Sequence, residues 1–155
     1  MITIEIPGAS TIHLLHVVFD VNGTLTCEGN LIDGVERRIG AVKRLVTVHL
    51  ASADTYGVVD SIAQRLDVVA VSAPEAADKL HLLMRLGPAA TAHVGNGSND
   101  VAALRAAALG IAVIGPEGAS AAALRAADVV FPSINDALDA LLHARRLTAT
   151  LRRGP

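Results

Sequence analysis

Ile2, Ile4 and Ile6 alternate with polar residues until Pro7-Gly8 breaks the run, and positions 12–19 then form a stretch apolar enough for a strand. An alternating run, a turn dipeptide and a second apolar run predict a β-hairpin that feeds a buried strand. Four later apolar segments, at 45–50, 68–71, 92–94 and 111–114, are short, β-branched and bounded by turn formers. Strands covered on both faces read this way, because neither face needs polar residues. Between them lie helix-length stretches at 35–44, 58–66, 75–86, 101–108 and 119–126, with Pro74 placed for a first helical turn and Gly110 for a helix stop. A last short strand at 129–131 precedes a C-terminal helix from about Asn135 onward.

Such alternation forces crossovers of one hand, and hence a mostly parallel sheet between helices. The expected fold is α/β: a Rossmann-like three-layer αβα sandwich with an N-terminal β-hairpin. No repeat, low-complexity tract or linker divides the chain, and 155 residues suit one hydrophobic core better than two, so residues 1–155 are read as a single core domain.

Composition then narrows the partners. A chain that is 52% hydrophobic and 18% charged, with mean hydropathy +0.47, demands a buried interior and excludes disorder. Only 2% of the residues are aromatic, too few to build a base-stacking platform, and 13 Lys and Arg against 15 Asp and Glu create no basic field for nucleic acid or anionic lipid. The lone Cys27 cannot form an internal disulfide, and the six histidines lack zinc-site spacing. The N-terminus does not resemble a signal peptide, and no apolar stretch approaches a membrane span. A cytoplasmic protein with a small-molecule or protein partner is the expectation.

In sheets of this kind, functional residues collect at the carboxyl ends of the strands, where helix N-termini also point. After the first buried strand comes FDVNGTLT, with Asp20 at the strand end, Gly23 permitting a sharp turn, and the hydroxyl of Thr24 close behind. Ser52 follows the second strand in HLASADTYG, Lys79 sits near the start of a helix after the third, and VGNGSND places Asn96, Asn99 and Asp100 after the fourth. Each has a bland reading as helix cap, turn residue or solvated side chain. Their order at successive strand ends is harder to dismiss.

The set resembles the haloacid dehalogenase superfamily of phosphotransferases over nearly the whole chain. FDVNGTLT is similar to that family's first motif, and Ser52, Lys79 and GNGSND to its second, third and fourth. Within the superfamily the likeness is to the phosphorylation domain of P-type ATPases, through Gly-Thr-Leu-Thr in the first motif and the Ala-rich segment with GIAVIG after the last. The resemblance implies that Asp20 is the nucleophile that becomes an aspartyl-phosphate. It implies that Ser52, with Gly23, Thr24 and Ala53, holds the phosphoryl group, and that Lys79 supplies fixed positive charge. It further implies magnesium at Asp20, Asn22 and the turn of Asn96, Asn99 and Asp100.

Two positions depart from the family. Asn22 stands where its phosphatases carry the Asp that protonates the leaving oxygen and activates water, and an amide does neither. Asn96 stands where a metal-binding Asp is usual. The expected site therefore accepts phosphate but turns over slowly on alkyl phosphates. The alternative is a catalytically weakened relative that binds phosphate or a protein. Asp20, Ser52 and Lys79 follow one another too closely for a cap domain, leaving only a small flap at 26–33, so an open site and a homo-oligomer are expected. None of the histidines is assigned to the site, Cys27 is read as a small packing residue, and Arg145, Arg146, Arg152 and Arg153 as the solvated face of a terminal helix. Gly95-x-Gly97 lacks the remaining features of a dinucleotide site. A receiver-type signalling domain would need an acidic pair on the first strand, which is absent.

Overall fold

The computed structural model describes residues 1–153. In chain order it runs β1 (Ile2–Ile4), β2 (Ile12–Leu14), β3 (His16–Phe19), β4 (Thr26–Cys27), β5 (Asn30–Leu31), α1 (Val35–Val42), β6 (Thr47–Ser52), α2 (Val59–Leu66) and β7 (Val69–Ser72). It continues with α3 (Ala76–Leu86), β8 (Thr91–Gly95), α4 (Val101–Ala106), β9 (Leu109–Val113), α5 (Ala121–Ala126), β10 (Val129–Phe131), α6 (Ile134–Leu142) and α7 (Arg145–Leu151). The central sheet has the order β10-β9-β8-β3-β6-β7, and every pairing within it is parallel. Helices α1, α2 and α6 pack together, as do α3, α4 and α5, which gives the expected three layers. Strands β1 and β2 form the N-terminal antiparallel hairpin, and β4 and β5 form a second one. That second hairpin is all that stands between β3 and α1 apart from its connecting turns, so among the described residues no cap domain is inserted there.

Several boundaries differ from the hydrophobic pattern for identifiable reasons. Residues 12–19 form two strands, because 12–14 pair antiparallel with β1 whereas His16 to Phe19 insert between β6 and β8. The hand-over is at Leu15, which is exposed and bonds through its backbone to Ala90 and Thr47. Gly110 does not stop a helix. It lies inside β9, where a Cβ would stand 2.4 Å from the carbonyl oxygen of Leu104, so glycine lets α4 press onto the sheet. Pro74 lies ahead of α3 and not in its first turn, since the backbone N–H of Glu75 donates to the Asp78 carboxylate at 2.9 Å and fixes the start one residue later. The C-terminal helix is two helices broken at His143 and Ala144, and Arg145, Arg146, Arg152 and Arg153 are solvated as expected. Among the described residues no helix is long and apolar enough to cross a membrane.

Side chains along β3 alternate between two interiors. Val17 and Phe19 enter the larger apolar core with Leu50, Ile111 and Ile134, while Val18 meets Ala51, Ala73 and Leu82 on the other face.

Candidate active site

At the carboxyl end of the sheet, β3 delivers Asp20, β6 delivers Ser52, and the turn after β8 delivers Asn96 and Asp100. Helix α3 follows edge strand β7 and brings Lys79 in from the side. Lys79 is 0% exposed, and its Nζ donates to Asp20 Oδ1 at 2.6 Å and to Asp100 Oδ1 at 2.8 Å. A fully buried ammonium is tolerated only when it is paired, and here two carboxylates pair it.

The two carboxylates are held differently. Asp20 Oδ2 accepts only the Thr24 hydroxyl, at 3.1 Å, a hydroxyl that also lies 3.3 Å from Asn96 Oδ1. Asp100 is saturated. Its Oδ1 accepts Lys79 and His93 Nε2 at 2.9 Å, and its Oδ2 accepts the backbone N–H groups of Asn96 and Gly97 at 3.1 and 2.9 Å. Gly95 makes the close packing possible, because a Cβ there would sit 2.3 Å from Asp100 Cγ.

These contacts set the charges. Burial, and then the negative charge of Asp100, push the Asp20 carboxyl up to about 6 against the pull of Lys79 and His93. Burial also pushes Asp100 upward, but hydrogen bonding and charge from His93 and Lys79 outweigh it and hold Asp100 at about 2. Lys79 is disfavoured as a cation by burial, yet the two carboxylates more than compensate and raise it above its ordinary value. The result is an Asp100 that stays ionised through the mildly acidic range and a nucleophile candidate that exchanges its proton there.

Ser52 is buried, accepts the backbone N–H of Asp54 at 3.0 Å, and lies 3.5 Å from the Asn22 amide nitrogen. Asn22 Oδ1 is buried without a hydrogen-bond partner. Gly23 adopts φ +76 beside Asn96 and Glu117, and Ala53 is exposed just beyond Ser52. The structure thus brings together Asp20, Asn22, Thr24, Ser52, Lys79, Asn96 and Asp100. Asn99 is left out: its side chain is solvated and leans toward Gly97.

Two participants escaped the sequence reading. His93, on β8, is 0% exposed and bonded to Asp100. The available signal was a histidine flanked by Ala92 and Val94 in a buried strand, seven positions before the aspartate. Glu117, on the loop after β9, accepts the backbone N–H of Glu28 at 2.6 Å and so ties the β4–β5 flap to the far side of the site. Nothing in its spacing announced this. As for the other singled-out residues, His16 and His49 bond each other at 3.2 Å near the amino ends of their strands, and Cys27 is half-buried and free.

The family model described as haloacid dehalogenase-like hydrolase matches residues 27–108, more than half of the chain. The chain belongs to the haloacid dehalogenase-like hydrolases. The match spans Ser52, Lys79 and Asp100 and begins just after Asp20. An uncharacterised protein of Methanocaldococcus jannaschii is 52% identical over 59 residues, 38% of this chain, and the chain spans 63% of that relative's length. Among solved structures, the 3-deoxy-D-manno-octulosonate 8-phosphate phosphatase of Moraxella catarrhalis superposes with TM-score 0.68 at 19% identity, over 88% of this chain and 90% of that one. That phosphatase was solved in complex with magnesium, phosphate and KDO. A zinc-transporting PIB-type ATPase in its E2.Pi state superposes with TM-score 0.66 at 28% identity, over 78% of this chain and 20% of the ATPase. This haloacid dehalogenase-like hydrolase thus shares its fold both with that phosphatase and with one portion of a zinc-transporting ATPase.

Proposed function

We propose that the chain is a phosphohydrolase or phosphotransferase that acts on a small phosphorylated substrate through an aspartyl-phosphate on Asp20. The observation that carries this reading is the fully buried Lys79, whose ammonium lies 2.6 Å from Asp20 and 2.8 Å from Asp100 at the strand ends. The Asp20 carboxylate attacks phosphorus as the bond to the leaving oxygen breaks. Lys79 and the Ser52 hydroxyl hold the charge that gathers on the phosphoryl oxygens. Water then cleaves the aspartyl-phosphate, releasing phosphate and returning the carboxylate.

Magnesium fits the donors present. Asp20 Oδ2 and Asn96 Oδ1 converge on one hydroxyl, and all the available groups are hard oxygens. Asp20, Asn96 and the backbone carbonyl of Asn22 would hold the ion. Bound there, magnesium would supply the positive charge that lets an anionic phosphate approach a carboxylate. Asp100, with every oxygen already engaged, serves to hold Lys79 in this reading and not as a ligand. Asn99, out in solvent, is likewise assigned no ligand role. With one carboxylate and one amide, affinity for the ion is expected to be modest.

Asn22 decides the substrate class. An amide cannot protonate a departing alkoxide, so acyl and aryl phosphates, which leave without an acid, are favoured. Turnover of p-nitrophenyl phosphate or acetyl phosphate with magnesium, abolished by Asp20→Asn, tests the nucleophile. Asn22→Asp is expected to raise alkyl phosphate hydrolysis by about a hundredfold or more, and an unchanged rate would overturn the assignment of Asn22. The two amides at Asn22 and Asn96 also favour a second reading, a slow relative that retains phosphate. A lasting mass increase on Asp20 after acetyl phosphate, without release of phosphate, would select it.

A further inference from the structure

Lys79 and its two carboxylates continue inward to a fourth group that the proposed chemistry does not use. His93 lies at the middle of β8, is 0% exposed, and has one polar partner, Asp100 Oδ1 at 2.9 Å. Its other nitrogen, Nδ1, is buried with no partner at all. Because the Asp100 oxygen only accepts, the proton of this contact resides on Nε2. An apolar residue would fill the same space between sheet and helices without leaving a nitrogen unsatisfied. Packing therefore does not account for a histidine at this position.

The geometry of Asp100 does. Asp100 Oδ1 is shared by two donors, Lys79 and His93, and Lys79 in turn is shared by Asp100 and Asp20. The three contacts form one row: imidazole, carboxylate, ammonium, carboxylate. If the imidazole is removed, Lys79 alone must satisfy Asp100 Oδ1. The ammonium is then drawn toward Asp100 and away from Asp20, where the phosphoryl group is to be received. The backbone donors on Oδ2 cannot compensate, since they are fixed by the turn at Asn96 and Gly97.

We infer that His93 is a positioning residue for phosphoryl transfer, which by occupying Asp100 keeps the ammonium of Lys79 committed to Asp20. This rests on the reading of Asp20 as the phosphoryl acceptor. Burial of the imidazole makes the arrangement rigid, as its one hydrogen bond, to Asp100, fixes the orientation of the ring.

The test has a kinetic and a spectroscopic arm. With acetyl phosphate and magnesium, His93→Leu is expected to lower kcat by about ten- to a hundredfold, the usual cost of losing an outer partner, while KM stays within about twofold. His93→Gln, which can place an amide N–H near the position of Nε2, is expected to recover most of the loss. Equal activity of wild type and His93→Leu, or no recovery in a folded His93→Gln, would overturn the inference while leaving Asp20 as acceptor. A wild-type protein that neither turns over nor becomes phosphorylated would overturn both.

In the second arm, protein labelled with nitrogen-15 histidine is expected to show a slowly exchanging imidazole N–H resonance that vanishes in His93→Gln. That resonance should move when magnesium and beryllium fluoride are added to mimic the aspartyl-phosphate. If His93→Leu does not fold, this arm decides alone: a resonance that stays fixed while beryllium fluoride raises the thermal midpoint overturns the proposal.

Discussion

On one side of the sheet Val17 and Phe19 meet Leu50, Ile111 and Ile134 in a continuous apolar core. On the other side Val18 lies in register with His93, and the space toward α3 and α4 holds Lys79 and Asp100, both wholly buried, next to a small cluster of Ala51, Ala73 and Leu82. The first interior coheres by excluding water, which is non-directional and scarcely depends on pH. The second coheres only while opposite charges remain paired, so each partner's removal strands the others. One sheet thus separates what holds the chain from what is proposed to react.

The largest test of that division is Lys79→Met. Turnover of an acyl phosphate is expected to fall by about 10²- to 10³-fold, and urea unfolding is expected to show a loss of about 3–5 kcal/mol, because two buried carboxylates lose their cation. Undiminished turnover would place the reaction elsewhere. On the apolar side, Leu50→Ala is expected to cost about 2–5 kcal/mol in the same unfolding assay, while kcat per folded molecule changes by less than about twofold. Gly110→Ala is expected to cost about 1–3 kcal/mol, since its Cβ would meet a backbone oxygen at 2.4 Å that cannot easily retreat.

The smallest effect is a dependence on pH with two opposite limbs. Asp20, raised from 3.8 to about 6, binds its proton more tightly in the folded than in the unfolded chain, so stability declines as pH climbs through that window. Asp100, lowered from 3.8 to about 2, contributes fully above 3.8 and loses its contribution as pH falls through about 2. Unfolding curves across this range are expected to show the upper decline disappear in Asp20→Asn. Saturating magnesium is expected to flatten it as well.

The sheet and its helices were legible because buried parallel strands leave short β-branched runs that turns punctuate, and β6, β8 and β9 fall where such runs stand. Asp20, Ser52, Lys79 and Asp100 were legible because each follows a strand in an order that few other arrangements share. What was hidden depends on contacts between distant segments. A pattern cannot show that residues 12–19 pair with two different neighbours, or that Gly110 belongs to a strand because a helix leans on it. His93 is hidden in the sequence because a lone histidine between apolar neighbours looks the same whether it packs idly or meets an aspartate. Asn99 is drawn toward the site by its place in the motif, although the turn carries its side chain into solvent.

Gly95 shows how little separates this site from its loss. The berth of the Asp100 carboxylate is the volume a single methyl would claim, so the smallest possible enlargement of that residue would evict an anion before disturbing any strand. Drift at position 95 would then leave the scaffold standing without the anion that holds Lys79, so one hydrogen atom guards the proposed chemistry more closely than the whole sheet beneath it.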